Sequence, residues 1–314
     1  MIQTAVFHEG ELAVQRLAGE TTMAQANGRV IAGAIPKGAL SFLEQQPMVV
    51  AATVDGNDRP WASILVGSRG FVRSPDATLV EIHAAQEYVV TSDPIWNNLE
   101  INPQIGLLGI EFDRRRRLRI NGRASLGDLR RIQIDVHEAY PNCPKYIHRR
   151  FLRSMKNRPA TSDLRTGVEP GEEQIRTIQR ANTVFVASIH PARGADASHR
   201  GGSAGFVEWV GPRTLRMPDY PGNSMYNTLG NITVQPYMGV TILDFEETRV
   251  LQMTGAASLH FDQPDPSGTT GGTRRFWQLR VDAWREWDLP VEMDWEQLDA
   301  SPFNPPAGTL PKLI

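Results

Sequence analysis

A chain of 314 residues has room for about two domains, and 40% hydrophobic with 22% charged residues is an ordinary globular composition. With 33 basic and 35 acidic residues the formal charge is −2, so no global field draws it to nucleic acid or to anionic lipid. No apolar run approaches the ~18 residues of a membrane span, no leader pattern opens the sequence, and Cys143 is alone, so the expectation is a cytoplasmic protein without an intrachain disulfide.

Residues 1–35 carry little periodicity and read as an extended segment. Pro36-Lys37-Gly38 opens a short helix through Leu40, Phe42, Leu43 and Glu44, with proline where a helix start tolerates it. Strands are predicted at Met48 to Val54 and Trp61 to Val66 around the Asp55-Gly56-Asn57-Asp58 turn, then at Phe71 to Arg73 and Leu79 to His83. A helix from Asp93 to Ile101, capped by Ser92 or Asp93, precedes strands at Ile105 to Phe112 and Arg116 to Leu126. Thr161 to Glu173, rich in Gly, Pro and charge, reads as a linker. A helix through Glu172, Ile175, Ile178 and Ala181 follows, then strands at Val184 to Ile189, Phe206 to Val210 and Thr214 to Met217. A helix from Asn223 to Asn231 leads to strands at Met238 to Phe245, Arg249 to Phe261 and Arg275 to Trp284.

The second series repeats the first. Residues 49–72 align on 184–207 at a shift of 135, with Ala62-Ser63 on Ala197-Ser198 and Gly70-Phe71-Val72 on Gly205-Phe206-Val207. Residues 98–126 align on 231–259 at a shift of 133, sharing Asn98/Asn231, Gly106/Gly239, Gly122/Gly255 and Ala124-Ser125-Leu126 against Ala257-Ser258-Leu259. Solenoid periods run roughly 20–50 residues, so this longer one reads as a duplicated domain. The fold class expected is mainly β with flanking helices: two tandem six-stranded split β-barrels of Greek-key type. Domains are placed at 36–160 and 174–290, with a linker at 161–173 and a C-terminal tail at 291–314. No strand–helix–strand alternation with a Gly-rich phosphate fingerprint is present.

The copies differ at two places. Ser198-His199-Arg200-Gly201-Gly202 stands where the first half has Ser63-Ile64-Leu65-Val66-Gly67. At the helix start, Asn223, Ser224, Asn227 and Thr228 supply amides and hydroxyls, and Pro94 and Ile95 stand opposite Asn227 and Thr228. Such groups at a helix N-terminus suit a phosphate, and a nearby guanidinium adds a charged fork. The plainer readings are a helix cap for Ser224, a turn for Gly201-Gly202 and a solvated charge for Arg200. Arg114 to Arg117 with Arg119 reads as a solvated strand edge, with docking of a phosphate or a dinucleotide tail as the minority reading. His137, Cys143 and His148 fit no standard zinc spacing, so no metal is expected.

Phe206-Val207, Asn223 to Asn231, and Leu251-Gln252-Met253-Thr254-Gly255 resemble the FMN-binding split-barrel proteins related to pyridoxamine 5′-phosphate oxidase. Gln46 to Val50, Arg59 to Ser63, Arg115 to Gly122 and Asn142 to Ile147 of the first half are similar to the same family. The resemblance implies FMN in a cleft between paired barrels, its phosphate held by Ser198, Arg200, Asn227 and Thr228, with Trp277 near the flavin; His199, Asn223 and Ser224 complete the expected cofactor-binding set. It also implies an oxidoreductase passing hydride or electrons from a donor such as NADH or NADPH to a small substrate, and a homodimer. Asn227-Thr228 in place of a basic pair, and Val250 in place of a glutamine, point away from pyridoxamine phosphate oxidation itself. A carrier or sensor for flavin, haem or deazaflavin, without turnover, is the alternative.

Overall fold

The computed structural model describes residues 5–158 and 164–305. The N-terminal segment, expected to be extended, is instead helical. It forms α1 (Glu9–Leu17) and α2 (Thr21–Gly28). His8 caps α1: its ring accepts from Gly10 N–H, and Glu11 reaches back to the His8 N–H. Neither helix shows a long apolar stripe, because docking rather than amphipathicity holds them. A Cβ on Gly10 would meet the Gly230 carbonyl oxygen at 2.2 Å, so α1 lies in backbone contact with a helix of the second half.

The first half continues with α3 (Leu40–Glu44), β1 (Met48–Val54), β2 (Pro60–Val66), β3 (Val72–Asp76) and β4 (Leu79–Ile82). Next come α4 (Ile95–Ile101), β5 (Gln104–Glu111), β6 (Arg116–Leu126) and β7 (Ile132–Pro141). β7 adds a strand to those expected. Ile132, Ile134 and Val136 point inward between exposed Gln133, Asp135 and His137, the period-two pattern of a half-buried strand.

β8 (Arg149–Asn157) and β9 (Arg165–Gly167) lead into α5 (Glu172–Arg180), β10 (Thr183–His190), β11 (Gly194–Gly201), β12 (Glu208–Gly211) and β13 (Thr214–Pro218). The chain then forms α6 (Asn227–Val234), β14 (Tyr237–Asp244), β15 (Arg249–His260), β16 (Phe276–Asp288) and β17 (Val291–Asp299). The expected linker is partly structured, since β9 pairs with β16 and α5 starts at Glu172; residues 161–163 of it lie outside the described residues. The expected tail begins as β17, which pairs with β8 in a separate ribbon, and its residues 306–314 lie outside the described ones.

The two halves share one strand order. It is β2-β1-β5-β6-β7-β4-β3 in the first and β11-β10-β14-β15-β16-β13-β12 in the second, antiparallel throughout. The fold is mainly β, two open curled sheets with flanking helices. Each half has its own apolar core, and a third cluster joins them through Val50, Ala62, Leu108, Phe185, Ala187 and Ala197. The shared glycines explain this joint. A Cβ on Gly106 would lie 2.6 Å from the Asp196 Cα, and one on Gly239 would lie 2.5 Å from the Pro60 carbonyl oxygen. Each half thus lays its β5 or β14 directly on the other half's backbone, which places β6 beside β11.

Candidate functional site: a basic pocket where the halves meet

Where β6 of the first half faces β11 of the second, a pocket of about 80 Å³ opens against the start of α6. His199, Arg200, Asn223, Ser224, Asn227 and Thr228 line it, so six of the eight residues expected from the sequence come together. Ser198 sits just behind, fully buried and accepting the Thr228 hydroxyl at 3.1 Å. Trp277 is also fully buried and lies beneath Arg200, whose guanidinium carbon is 5.5 Å from the ring centroid.

Local backbone decides what each group offers. The predicted helix start at Asn223 is displaced: α6 begins at Asn227, and residues 223–226 form a loop with Ser224 and Tyr226 at φ of +63° and +62°. Non-glycine residues resist that region, so the loop needs support. The N-terminal helices provide it. Gln15 of α1 donates to the Met225 carbonyl at 3.2 Å and Asn27 of α2 to that of Asn223 at 2.7 Å. Met225 itself is buried with Phe7, Ala24 and Tyr140. The Asn227 amide, expected to face a phosphate, donates instead to Glu11 at 2.6 Å. Burial raises the Glu11 carboxyl to about 7 against the hydrogen bonds that would lower it.

Ser198 to Gly201 are the end of strand β11. Gly201 is not a turn residue but a close approach, because a Cβ there would lie 1.9 Å from the Tyr146 carbonyl oxygen. Arg200 is no free surface charge. It donates to the His199 carbonyl at 3.1 Å and pairs with no carboxylate among the described residues. The acid nearby, Asp219, is held by Arg275 at 2.9 Å. Burial brings the Arg200 guanidinium down to about 10, still charged at neutral pH.

The largest correction concerns the arginine run, expected at a solvated edge. Arg117 and Arg119 line this pocket. Arg119 is 6% exposed and bonds Asp196 across the joint at 3.0 and 3.2 Å. Arg117 donates to the Cys143 carbonyl at 3.0 Å and to His199 Nδ1 at 3.0 Å, without a carboxylate partner among the described residues. Burial lowers it, too, to about 10. Because Arg117 has no lone pair to accept with, His199 Nδ1 is the acceptor and its proton sits on Nε2. Nε2 is buried without a partner, and burial beside Arg117 and Arg200 holds the ring neutral. Alternation along β6 puts both arginines on paths that only the second half completes, a placement invisible in a one-dimensional pattern. Their signal in the sequence was the unusual density of the run.

A second cluster, His8, Glu9 and His190, has metal-ligand spacing. Both ring Nδ1 atoms accept backbone N–H groups, from Gly10 and from Ala192 and Arg193, so both Nε2 atoms carry protons and donate to Asn231 and Glu9. That tautomer does not ligate a metal through Nε2.

The family model of pyridoxamine 5′-phosphate oxidase matches residues 35–132. Among solved structures, HupZ of Group A Streptococcus is 12% identical, with 42% of this chain and 98% of that one covered at a TM-score of 0.29. A FAD-binding protein of Mesorhizobium loti is 11% identical over 39% and 97% at 0.26. A pyridoxamine 5′-phosphate oxidase-related, FMN-binding protein of Nostoc punctiforme is 12% identical over 40% and 92% at 0.27. No curated protein matches the chain.

Proposed function

We propose, from the match of residues 35–132 to the pyridoxamine 5′-phosphate oxidase family model and from the geometry of the site, a flavoprotein that binds FMN non-covalently by its phosphate in the pocket between the halves. One observation carries this reading: Arg117 and Arg200, neither with a carboxylate partner among the described residues, converge on the start of α6. A phosphate dianion supplies the missing charge, and its hydrogen bonds to guanidinium groups are of the strong, charge-assisted kind. His199 Nε2–H, orphaned in the wall, is a further donor.

The fit is to the phosphate, not to the whole cofactor. About 80 Å³ suits a small anion, whereas sites for ligands of larger size run roughly 300–1,000 Å³. An adjoining groove of about 370 Å³ shares Arg117 and Asn142 with the pocket and offers room for the remainder. Bound flavin would supply hydride or electron transfer, with NADH or NADPH as donor and a small molecule as acceptor. The protein's own share is to hold the phosphate and to seat it against the rigid joint. Asn227 serves at one remove, tying α6 to Glu11. A homodimer and a cytoplasmic setting remain part of the proposal.

The test is a fluorescence titration with FMN. Arg200→Ala together with Thr228→Val is expected to weaken binding at least tenfold, about 1.4 kcal/mol. Wild-type protein that takes up no flavin, or a double variant that binds FMN as tightly as wild type, would refute the placement. Flavin reduction on addition of NADH or NADPH separates an enzyme from a carrier.

A further inference from the structure

A pocket of about 190 Å³, which shares no wall residue with the phosphate pocket, lies between the β8–β17 ribbon and the second half. Its walls come from the end of α5, the start of β10 and the β14–β15 turn. On the ribbon side they are Arg150, Trp295 and Gln297. Arg150 is only 4% exposed and turns toward this pocket. It donates to Asn182 Oδ1 at 2.6 Å and to Thr183 Oγ1 at 3.3 Å. Its guanidinium carbon lies 3.9 Å from the centre of the Phe245 ring. Asn182, Thr183 and Phe245 are all wall residues.

Every one of these partners is neutral. They satisfy hydrogen bonds but not the charge, and no carboxylate pairs with Arg150 among the described residues. A buried cation without a counter-ion is costly, and an anion in the pocket removes that cost. Burial brings the guanidinium down to about 10, so it is still charged at neutral pH.

The duplication supplies a control. β1 begins at Met48 as β10 begins at Thr183, so Pro47 and Met48 stand where the second half has Asn182 and Thr183. Phe112, the counterpart of Phe245, has its ring centre 5.9 Å from the same guanidinium. The ribbon thus touches both halves, and its buried charge is lodged in the one that offers polar atoms.

The rest of the wall narrows the ligand. A cavity of about 150 Å³ holds benzene, so this pocket takes one ring or a short chain of similar bulk. Phe245 and Trp295 make its lining aromatic, and the Trp295 indole N–H is buried without an acceptor. Asp244 and Glu246 also line it and oppose a dianion. A planar guanidinium matches a carboxylate through two parallel N–H groups. We infer that this pocket binds a small monocarboxylate, its carboxyl on Arg150 and its apolar body against the aromatic wall. The inference is independent of the flavin reading.

Calorimetric titration with benzoate, hexanoate, the neutral analogue benzamide and inorganic phosphate tests it. Expected is saturable binding of a carboxylate at one site per chain, with benzamide and phosphate at least tenfold weaker. Arg150→Gln is expected to abolish that binding. Arg150→Lys keeps a cation beside the two phenylalanines but loses the planar fork, and is expected to weaken it at least tenfold. Should the glutamine variant not fold, the lysine variant and benzamide decide the matter. Three results overturn the proposal: no binding of either carboxylate by wild type at millimolar concentration, benzamide bound as tightly as benzoate, or a lysine variant as tight as wild type. Carboxylate binding that Arg200→Ala weakens tenfold lies in the phosphate pocket and overturns it as well. Failure of the flavin reading looks different: no FMN uptake, with carboxylate binding intact.

Discussion

At the start of α4 the first half carries a carboxylate of its own, Asp93, which accepts the Ser63 hydroxyl at 2.5 Å and the Ile95 N–H at 2.9 Å. At the start of α6 the second half has Tyr226 in the aligned position, and Ser198, the counterpart of Ser63, is bonded to the Thr228 side chain and to no carboxylate among the described residues. The helices themselves are held alike, by Asn98 to Thr53 in one half and Asn231 to Ser188 in the other, both at 3.0 Å. The surroundings then follow the charge. Leu65 faces the internal carboxylate's side where Arg200 faces the open one, and the opposite half contributes Val250 and Gln252 where it contributes Arg117 and Arg119 to the other. One scaffold thus yields a closed cradle with its anion built in and an open cradle with spare positive charge. In the sequence Asp93 looks like an ordinary helix cap beside apolar Leu65 and Ile95, and its role shows only once Ser63 and Gln252 are seen around it.

That contrast can be broken in order of expected effect. Leu65→Ala and Ile95→Ala, at buried positions, are each expected to cost about 2–5 kcal/mol of stability through cavity formation. Urea unfolding reads the loss, and FMN affinity should not follow it. Next is the brace of the open cradle. Glu11 titrates at about 7 in the folded protein against 4.5 ordinarily, so the native state holds its proton more tightly than the unfolded chain. Its stabilising share is complete below the unfolded value and is lost as pH rises through about 7. Between pH 5 and 8 this amounts to roughly 2 kcal/mol, and Glu11→Gln should flatten that slope in unfolding curves. If the slope persists in the variant, Glu11 is not its source.

The smallest effect is expected at Asp93, where burial raises the carboxyl to about 6 from 3.8. Here too stability falls as pH rises through the folded value. Asn at this position keeps an acceptor for Ser63 and Ile95 and loses only the 3.4 Å bond that Gln252 Nε2 donates to the second carboxylate oxygen. Asp93→Asn should therefore change stability at pH 8 by less than about 1 kcal/mol, each such hydrogen bond being worth about that much. FMN stoichiometry should stay the same. A second flavin bound by this variant would show that the carboxylate, rather than the filled walls, closes the first cradle.

Most strands were legible, since apolar runs and turn residues are local signals: Met48 to Val54 and Arg116 to Leu126 match the observed strands end for end. β11 was not, because Gly194 to Gly201 mixes Asp196, Ser198, His199 and Arg200 with small residues, and its polar groups are matched only by partners in the other half. α1 and α2 escaped for a related reason: their stability comes from contact with α6 and the 223–226 loop, not from an apolar stripe.

By itself the sequence determined that two similar β units follow one another, and that one helix start carries Asn227 and Thr228 where the twin carries Pro94 and Ile95. Those properties reside in periodicity and composition, which a chain carries before it folds. Only the tertiary structure decided which charges reach that helix. Arg117 and Arg119 lie about 80 residues from Arg200 along the chain, and they meet because Gly106 and Gly239 let each sheet rest on the other's backbone. Whether an arginine is solvated or left seeking an anion is set by what packs around it in space.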